Sequence, residues 1–383
     1  MEFSVHDSVA SVGKRSIDVL AKGQSPFTQY AFLHALEHSK SVSAETGWIP
    51  QHVFVADEKG AAAFMPCYLK FHSFGEYIFD FAWADAAERA GINYYPKLLS
   101  AVPFTPASGR RILLREGLEL AELLPSIHQA ILHLFDKHKI SSWHLLFCQE
   151  REANAFSDFD ALCRLSYQFH WKRQVTWSTF EDYLLAMRSS ARKQIRKERR
   201  VAQSHGFDLR IIRPEELTAE HINALYRFYQ NTVDDKFAHA YLTRDFFEEL
   251  QRNPENFLAT FAFDQGKPVA AALFFHKANT LYGRYWGADI EADSLHFELC
   301  YYLPIEWCLE QGIDYFEAGA QGTHKIKRGF LPASCYSAHL FQDTRLASAV
   351  ARFIRLERKS VEQEMSLLSQ HSPFKQTATD TKD

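Results

Sequence analysis

Residues 317–330 read EAGAQGTHKIKRGF. Gly319 and Gly322 free the backbone to approach a ligand or to take positive φ. Gln321 adds an amide, and Lys325, Lys327 and Arg328 offer donors to a phosphate or carboxylate. The G-x-x-x-x-G-K-[ST] spacing of a P-loop is absent. Proton acceptors lie close by in sequence. Glu317 leads into the loop, His324 is inside it, and His296 and Glu298 open the helix before it. A carboxylate or imidazole beside an attacking amine can take its proton. A cation about 3 Å from a carbonyl oxygen steadies the charge that develops there. In G-R-Y-W-G (283–287), Arg284 suits a phosphate or carboxylate, while Tyr285 and Trp286 suit stacking on a ring. These residue types allow general acid–base chemistry beside a bound anion or carbonyl. They also allow a solvated basic loop that merely caps a sheet.

A second group is cationic. Arg188, Arg192, Arg196 and Arg200 recur every four residues, with Lys193 and Lys197 beside them, and Glu198 is the one acid from 188 to 200. On a helix this is a stripe suited to RNA or polyphosphate, or a solvated face. HALEH (34–38) lacks the glutamate of a zinc protease motif, so no metal site is expected.

The elements that must hold these groups follow from periodicity. Apolar residues at helical spacing predict helices over 27–39 and 119–138, and SSWHLLFC (141–148) reads as a buried strand. The stretch 178–206 reads as one long helix stopped at Gly206. Strands FDLRIIR, NFLATFAF, KPVAAALFFHK and TLYGRYWG follow, interrupted by helices, and then helix SLHFELCYYLPIEWCLEQG, strand IDYFEAGA and the basic loop. Each half runs helix, strand hairpin, strand, helix, strand. The expected division is 1–175, 176–345, and a final helix with a disordered tail over 346–383.

Long stretches carry a resemblance, among them SPFTQYAFLHALE, TGWIPQH, YLTRDFF, LYGRYWG, HFELCYY and FEAGAQGTHKIKRGF. Together they resemble the FemAB-like branch of the GNAT acyltransferase superfamily, from about residue 25 to about 340. The resemblance implies an α/β chain of two tandem GNAT-like domains with a cleft between them. It implies N-acyl transfer of an activated acyl or aminoacyl group to an amine. The acceptor classes it leaves open are cell-wall (peptidoglycan) precursors, free amino compounds and protein N-termini. Ile326-Lys327-Arg328-Gly329-Phe330 matches the family's lysine motif, which makes Lys327 the oxyanion cation. Glu76, Asp80 and Lys97 fall in a matching stretch and either line an acceptor cleft or form a buried polar network.

The donor is aminoacyl-tRNA or acyl-CoA. Ordinary GNAT enzymes seat the coenzyme A pyrophosphate on backbone amides at a helix N-terminus. The corresponding GADIEADSLHFE puts Asp289, Glu291 and Asp293 there, which disfavours acyl-CoA. A tRNA would instead meet the basic helix. A non-catalytic RNA- or phospholigand-binding protein on the same fold is the competing expectation.

Composition sets the outer bounds. A chain of 383 residues exceeds one ordinary core, and 32 Phe, 16 Tyr and 7 Trp fit large cores or an aromatic-lined cleft. Net charge −4 argues against general nucleic-acid coating. Six scattered cysteines, an N-terminus without an apolar run and no ~20-residue apolar stretch predict a cytoplasmic protein.

Overall fold

The computed structural model describes residues 1–235, 240–253, 256–319 and 322–375. The chain clusters into two units. One comprises Met1–Tyr167, Tyr241–Leu250 and Ser334–Gln363, and the other Gln168–Ala240, Gln251–Ala333 and Glu364–Asp383. Neither is a continuous stretch, unlike the simple division expected at 175/176. Two segments from the second half of the sequence, Tyr241–Leu250 and Ser334–Gln363, join the first unit.

The strands in chain order are β1 Glu2–His6, β2 Trp48–Pro50, β3 His52–Asp57, β4 Gly60–Met65, β5 Tyr68–Lys70, β6 Lys97–Ser100, β7 Leu113–Leu114 and β8 Ser142–Cys148. They continue as β9 Leu162–Lys172, β10 Asp208–Ile212, β11 Phe257–Asp264, β12 Lys267–Lys277, β13 Thr280–Ala288, β14 Tyr315–Glu317 and β15 Leu331–Phe341. In the first unit β5 pairs antiparallel with β6, β6 parallel with β8, and β8 antiparallel with β15. The parallel step is made by the helix Leu120–His138, whose Leu123, Ile127, Ala130, Ile131 and Leu134 recur at helical spacing and are buried. They pack with Val53, Leu98, Trp143 and Leu145 into the main core of this unit. A separate sheet is ordered β1-β3-β4-β7.

The second unit repeats the pattern. β12 pairs antiparallel with β13, β13 parallel with β14, and β14 antiparallel with β9. Here the parallel step is made by the helical run from Leu295 to Gln311. Its middle, Glu298–Tyr302, is π-helical. Pro304 has no N–H to give to the preceding turn, and the Thr260 hydroxyl donates instead to the Leu299 carbonyl at 2.8 Å.

Two expected elements differ. The long helix over 178–206 is two helices, Phe180–Ala186 and Ser189–Ser204. The break at Met187 and Arg188 is extended backbone that bonds the tail. Met187 bridges Phe374, the Arg188 N–H donates to the Pro373 carbonyl, and the Lys375 N–H donates to the Ala186 carbonyl. Residues 371–375 of the tail expected to be disordered are therefore ordered, with the Phe374 ring packed on Trp177 and Tyr183, and the rest of that tail lies outside the described residues.

Candidate functional site

The parallel ladder between β13 and β14 ends at Tyr282–Glu317, yet β13 runs on to Ala288. Beyond that pair the two chains part. At the vertex Gly283 lies beside Ala318, where a side chain carbon would stand at an ordinary contact distance of 3.5 Å. From Ala318 the chain turns through Gly319 (φ 81°) and Gly322 (φ 114°), both in the left-handed half of backbone space. A 3₁₀ helix over Thr323–Arg328 follows. With three residues per turn, positions 325 and 328 eclipse each other on its inner side.

That period decides which cation is inside. Lys325 is 2 % exposed, and its ammonium donates to the Gly319 carbonyl at 2.7 Å. Burial lowers its pKa to about 8. Arg328 is buried as well. Its guanidinium donates to Glu198 at 2.7 Å and to the His324 carbonyl at 2.9 Å, and lies 3.5 Å from the Phe297 ring centroid. Lys327, one step off the inner side, is exposed. The expectation of Lys327 as oxyanion cation therefore places that charge in water, where it is worth less to a developing oxyanion than in a dry site. Gln321 lies outside the described residues.

An aromatic cluster completes this side. The His324 Nε2 and the Tyr301 hydroxyl are 3.0 Å apart, and His296 packs edge-on against Trp286, Tyr301 and His324. Burial, then the charges of Arg328 and Lys325, lower the His324 pKa, and burial raises that of Tyr301. Arg284 reaches the Tyr285 hydroxyl at 3.4 Å, and Tyr285 packs edge-on against Tyr229.

Two candidate bases point elsewhere. Glu298 accepts from Arg199 at 2.8 Å and 3.0 Å, and Arg199 also holds Glu306 at 2.8 Å. Burial raises the Glu298 pKa, although the Arg199 charge opposes the rise. Glu298, expected as a candidate base, is thus a buried carboxylate held by Arg199. Glu317, on β14, lies 3.8 Å from His170 Nε2.

The helix Ser189–Ser204 presents the cationic stripe. Ile195, Glu198 and Ala202 face inward, while Arg188, Lys193, Arg196, Lys197 and Arg200 are exposed and Arg192 is half-buried. Arg196 pairs with Glu181. Its inward acid ties this helix to the 3₁₀ turn, since Glu198 accepts from Arg328, Tyr302 and Gln194. Glu198, Arg199, Tyr301 and Tyr183, whose hydroxyl donates to the Arg328 carbonyl at 2.8 Å, were not singled out in the sequence. The one available hint was Glu198 itself, an acid alone among cations.

Glu76, Asp80 and Lys97 do come together, in the first unit. The Lys97 ammonium donates to Ser73 and Glu76 at 2.8 Å and to Asp80, and the Tyr94 hydroxyl donates to Asp80 at 2.7 Å. Lys70 stands 3.7 Å from Glu76 and 3.6 Å from the Trp48 ring centroid. Burial pulls the Lys70 pKa down and pushes that of Glu76 up, both to about 7.

Residues 8–376 match the model of a family described as peptidoglycan biosynthesis/recognition. The chain belongs to the FemAB-like family. Among solved structures, FemX superposes with TM-score 0.55 at 9% identity, covering 92% of this chain and all (100%) of FemX. L-PGS from Bacillus licheniformis superposes at 0.50 and 13%, covering 84% and 95%. A conserved protein of unknown function from Bacteroides thetaiotaomicron superposes at 0.52 and 12%, covering 88% and 99%. No curated protein matches the chain. The fold of this FemAB-like protein is thus the tandem GNAT-like, FemX-like one. Family membership carries a role in peptidoglycan biosynthesis or recognition. Among the described residues no cluster of side chains suits a metal ion, and no helix is long and apolar enough to cross a membrane.

Proposed function

We propose that this FemAB-like protein transfers an aminoacyl group from aminoacyl-tRNA to an amine of a peptidoglycan precursor. The observation that carries the reading is the 2.7 Å ion pair from Glu198 to Arg328. It fastens a helix with an exposed cationic stripe directly to the turn that buries Lys325. Phosphates gripped by Arg188, Arg192, Lys193, Lys197 and Arg200 would leave the 3′ end of the donor near the parted ends of β13 and β14.

The amine attacks the ester carbonyl, a C–N bond forms and the C–O bond to the tRNA ribose breaks. Lys325 replaces Lys327 as the group steadying the carbonyl oxygen, because it is dry and, below about pH 8, charged. His324 is held neutral and accepts the proton that leaves the amine, which passes on to the departing ribose oxygen, while the Tyr301 hydroxyl orients the imidazole. Arg284, Tyr285 and Trp286 on β13 and His296 bind and orient the acyl group and its acceptor. The exposed carboxylates Asp289, Glu291 and Asp293 weigh against coenzyme A. Arg227 and Asn231 already hold Asp289 at 2.9 Å.

The test is transfer of labelled amino acid from a charged tRNA pool to a peptidoglycan precursor bearing a free amine. The expected result is ribonuclease-sensitive product formation, lost in Lys325→Ala and kept in Lys327→Ala. A protein that labels the precursor only from acyl-CoA, or loses turnover in Lys327→Ala alone, overturns the proposal.

A further inference from the structure

The segment FHSFGEYIFDF, residues 71–81 of the first unit, turns four phenylalanines outward over buried polar groups, while Ile78 points inward. Its polar residues Ser73, Glu76 and Asp80 are buried, whereas Phe71, Phe74, Phe79 and Phe81 are 54%, 52%, 51% and 40% exposed. The arrangement is enforced from beneath. Lys97 draws Ser73, Glu76 and Asp80 inward, the Lys70 ammonium holds the Phe74 carbonyl at 2.8 Å, and Arg164 holds the Phe79 carbonyl at 2.9 Å while gripping Glu357. The phenyl rings are left outside and touch one another. Phe74 and Phe81 lie 6.0 Å apart, and Phe79 and Phe81 are stacked at 5.7 Å. A water-exposed loop gains nothing from this arrangement, since exposed phenyl surface is unfavourable.

We infer that the rings of Phe74, Phe79 and Phe81 dock this protein on a lipid bilayer, entering it at headgroup depth. Size argues for lipid over protein. Three half-exposed rings offer about 300 Å² of apolar surface, whereas a stable protein interface needs roughly 800 Å² from each partner. A bilayer interface sets no such threshold and no demand for shape, and accepts shallow insertion of aromatic and aliphatic side chains. Charge argues for apolar insertion rather than attraction to anionic headgroups. The exposed neighbours on the helix Phe81–Arg89 include Asp85 and Glu88 against Arg89. The acyltransferase reading does not enter this argument, and vesicle binding is measured without donor or acceptor, so each can fail alone.

The experiment is co-sedimentation of the full chain with sucrose-loaded phosphatidylcholine vesicles in high salt, which silences the basic helix Ser189–Ser204. Wild type is expected in the pellet. Phe79→Ser and Phe81→Ser should each weaken binding about tenfold, and F74S/F79S/F81S by about 100-fold or more, with melting temperatures unchanged. Wild type remaining in the supernatant, or the triple variant sedimenting like wild type, overturns the inference. So does sedimentation that requires phosphatidylglycerol and vanishes with salt, or Phe-dependent dimerisation that uses up the patch.

Discussion

Lys325 makes a prediction whose sign and size both follow from its burial. In the unfolded chain its ammonium titrates at 10.5, and in the folded protein at about 8. The folded state disfavours the charged form, so the unfolded chain holds the proton between these values and the folded protein does not. Stability must therefore rise with pH across that window. Below about pH 8 the full penalty applies, about 3 kcal/mol from the difference between the two values, and above pH 10.5 it is gone. Replacing the lysine with methionine keeps most of the stem and removes the charge. The stability difference, wild type minus Lys325→Met, should then move in favour of wild type by about 2.5 kcal/mol between pH 7 and pH 10. Paired urea denaturation curves at each pH measure it, and subtraction cancels Lys70, Glu76 and every other shared titration. The same ammonium is the proposed oxyanion cation, so transfer by wild type should fall as pH rises through about 8, while Lys327→Ala keeps both its activity and its pH profile. A difference that stays flat from pH 7 to pH 10 would refute the burial argument and, with it, the choice of residue 325.

Other outcomes follow from contacts already described. Glu198→Ala leaves the Arg328 charge buried without its acid and should cost about 3–5 kcal/mol in urea denaturation, against much less for the double variant E198A/R328M. In the first unit Lys97→Met strands Glu76 and Asp80 and should cost a similar amount. Glu76→Gln, at a carboxyl already pushed up to about 7, should cost about 1 kcal/mol or less at neutral pH. Gly287→Ala would set a methyl carbon 1.8 Å from the Phe228 carbonyl oxygen, forcing β13 off its neighbouring helix, and should lower stability by about 3 kcal/mol or more. Lys193→Glu, Lys197→Glu and Arg200→Glu combined should weaken tRNA binding and reduce the salt slope by about 2, read from titrations at several salt concentrations.

The tandem architecture was legible because helix period and strand runs alternate in the same order twice, and because long stretches carried the family resemblance. The site was legible as a region rather than as residues. In a run taken for a loop, HKIKRG gives no reason to prefer one cation, and only the 3₁₀ period of three puts Lys325 and Arg328 inside and Lys327 outside. Partners far apart in sequence were invisible for a simpler reason. Glu198 and Arg328 lie 130 positions apart, as do other pairs that only the fold brings together, such as Arg199 with Glu298. The acids that balance the basic helix come from Glu181, Glu298 and Glu306, so counting charges from 188 to 200 overstated how many cations stand free. The break at Met187 was hidden too, because the residues that bond it, Pro373 to Lys375, lie far along the chain.

The repeated strand order makes the difference between the units informative. β6 pairs with β8 up to its last residue, Ser100, and the polar groups of that unit are turned inward onto Lys97. The corresponding ladder of β13 with β14 stops at Tyr282, leaving β13 to run on beside the turn that carries Lys325 and His324. The parallel ladder ends early in both copies, since β8 runs on to Cys148 past its last pair with β6 at Leu145, and the copies differ in the groups placed beside it. Acyl transfer needs a carbonyl, a cation and a proton acceptor within a few ångströms of one another, with water excluded. In the proposed reading the second copy supplies the cation and the proton acceptor, Lys325 and His324, from one short turn. The charged groups of the first hold one another, and hold its phenylalanines outward.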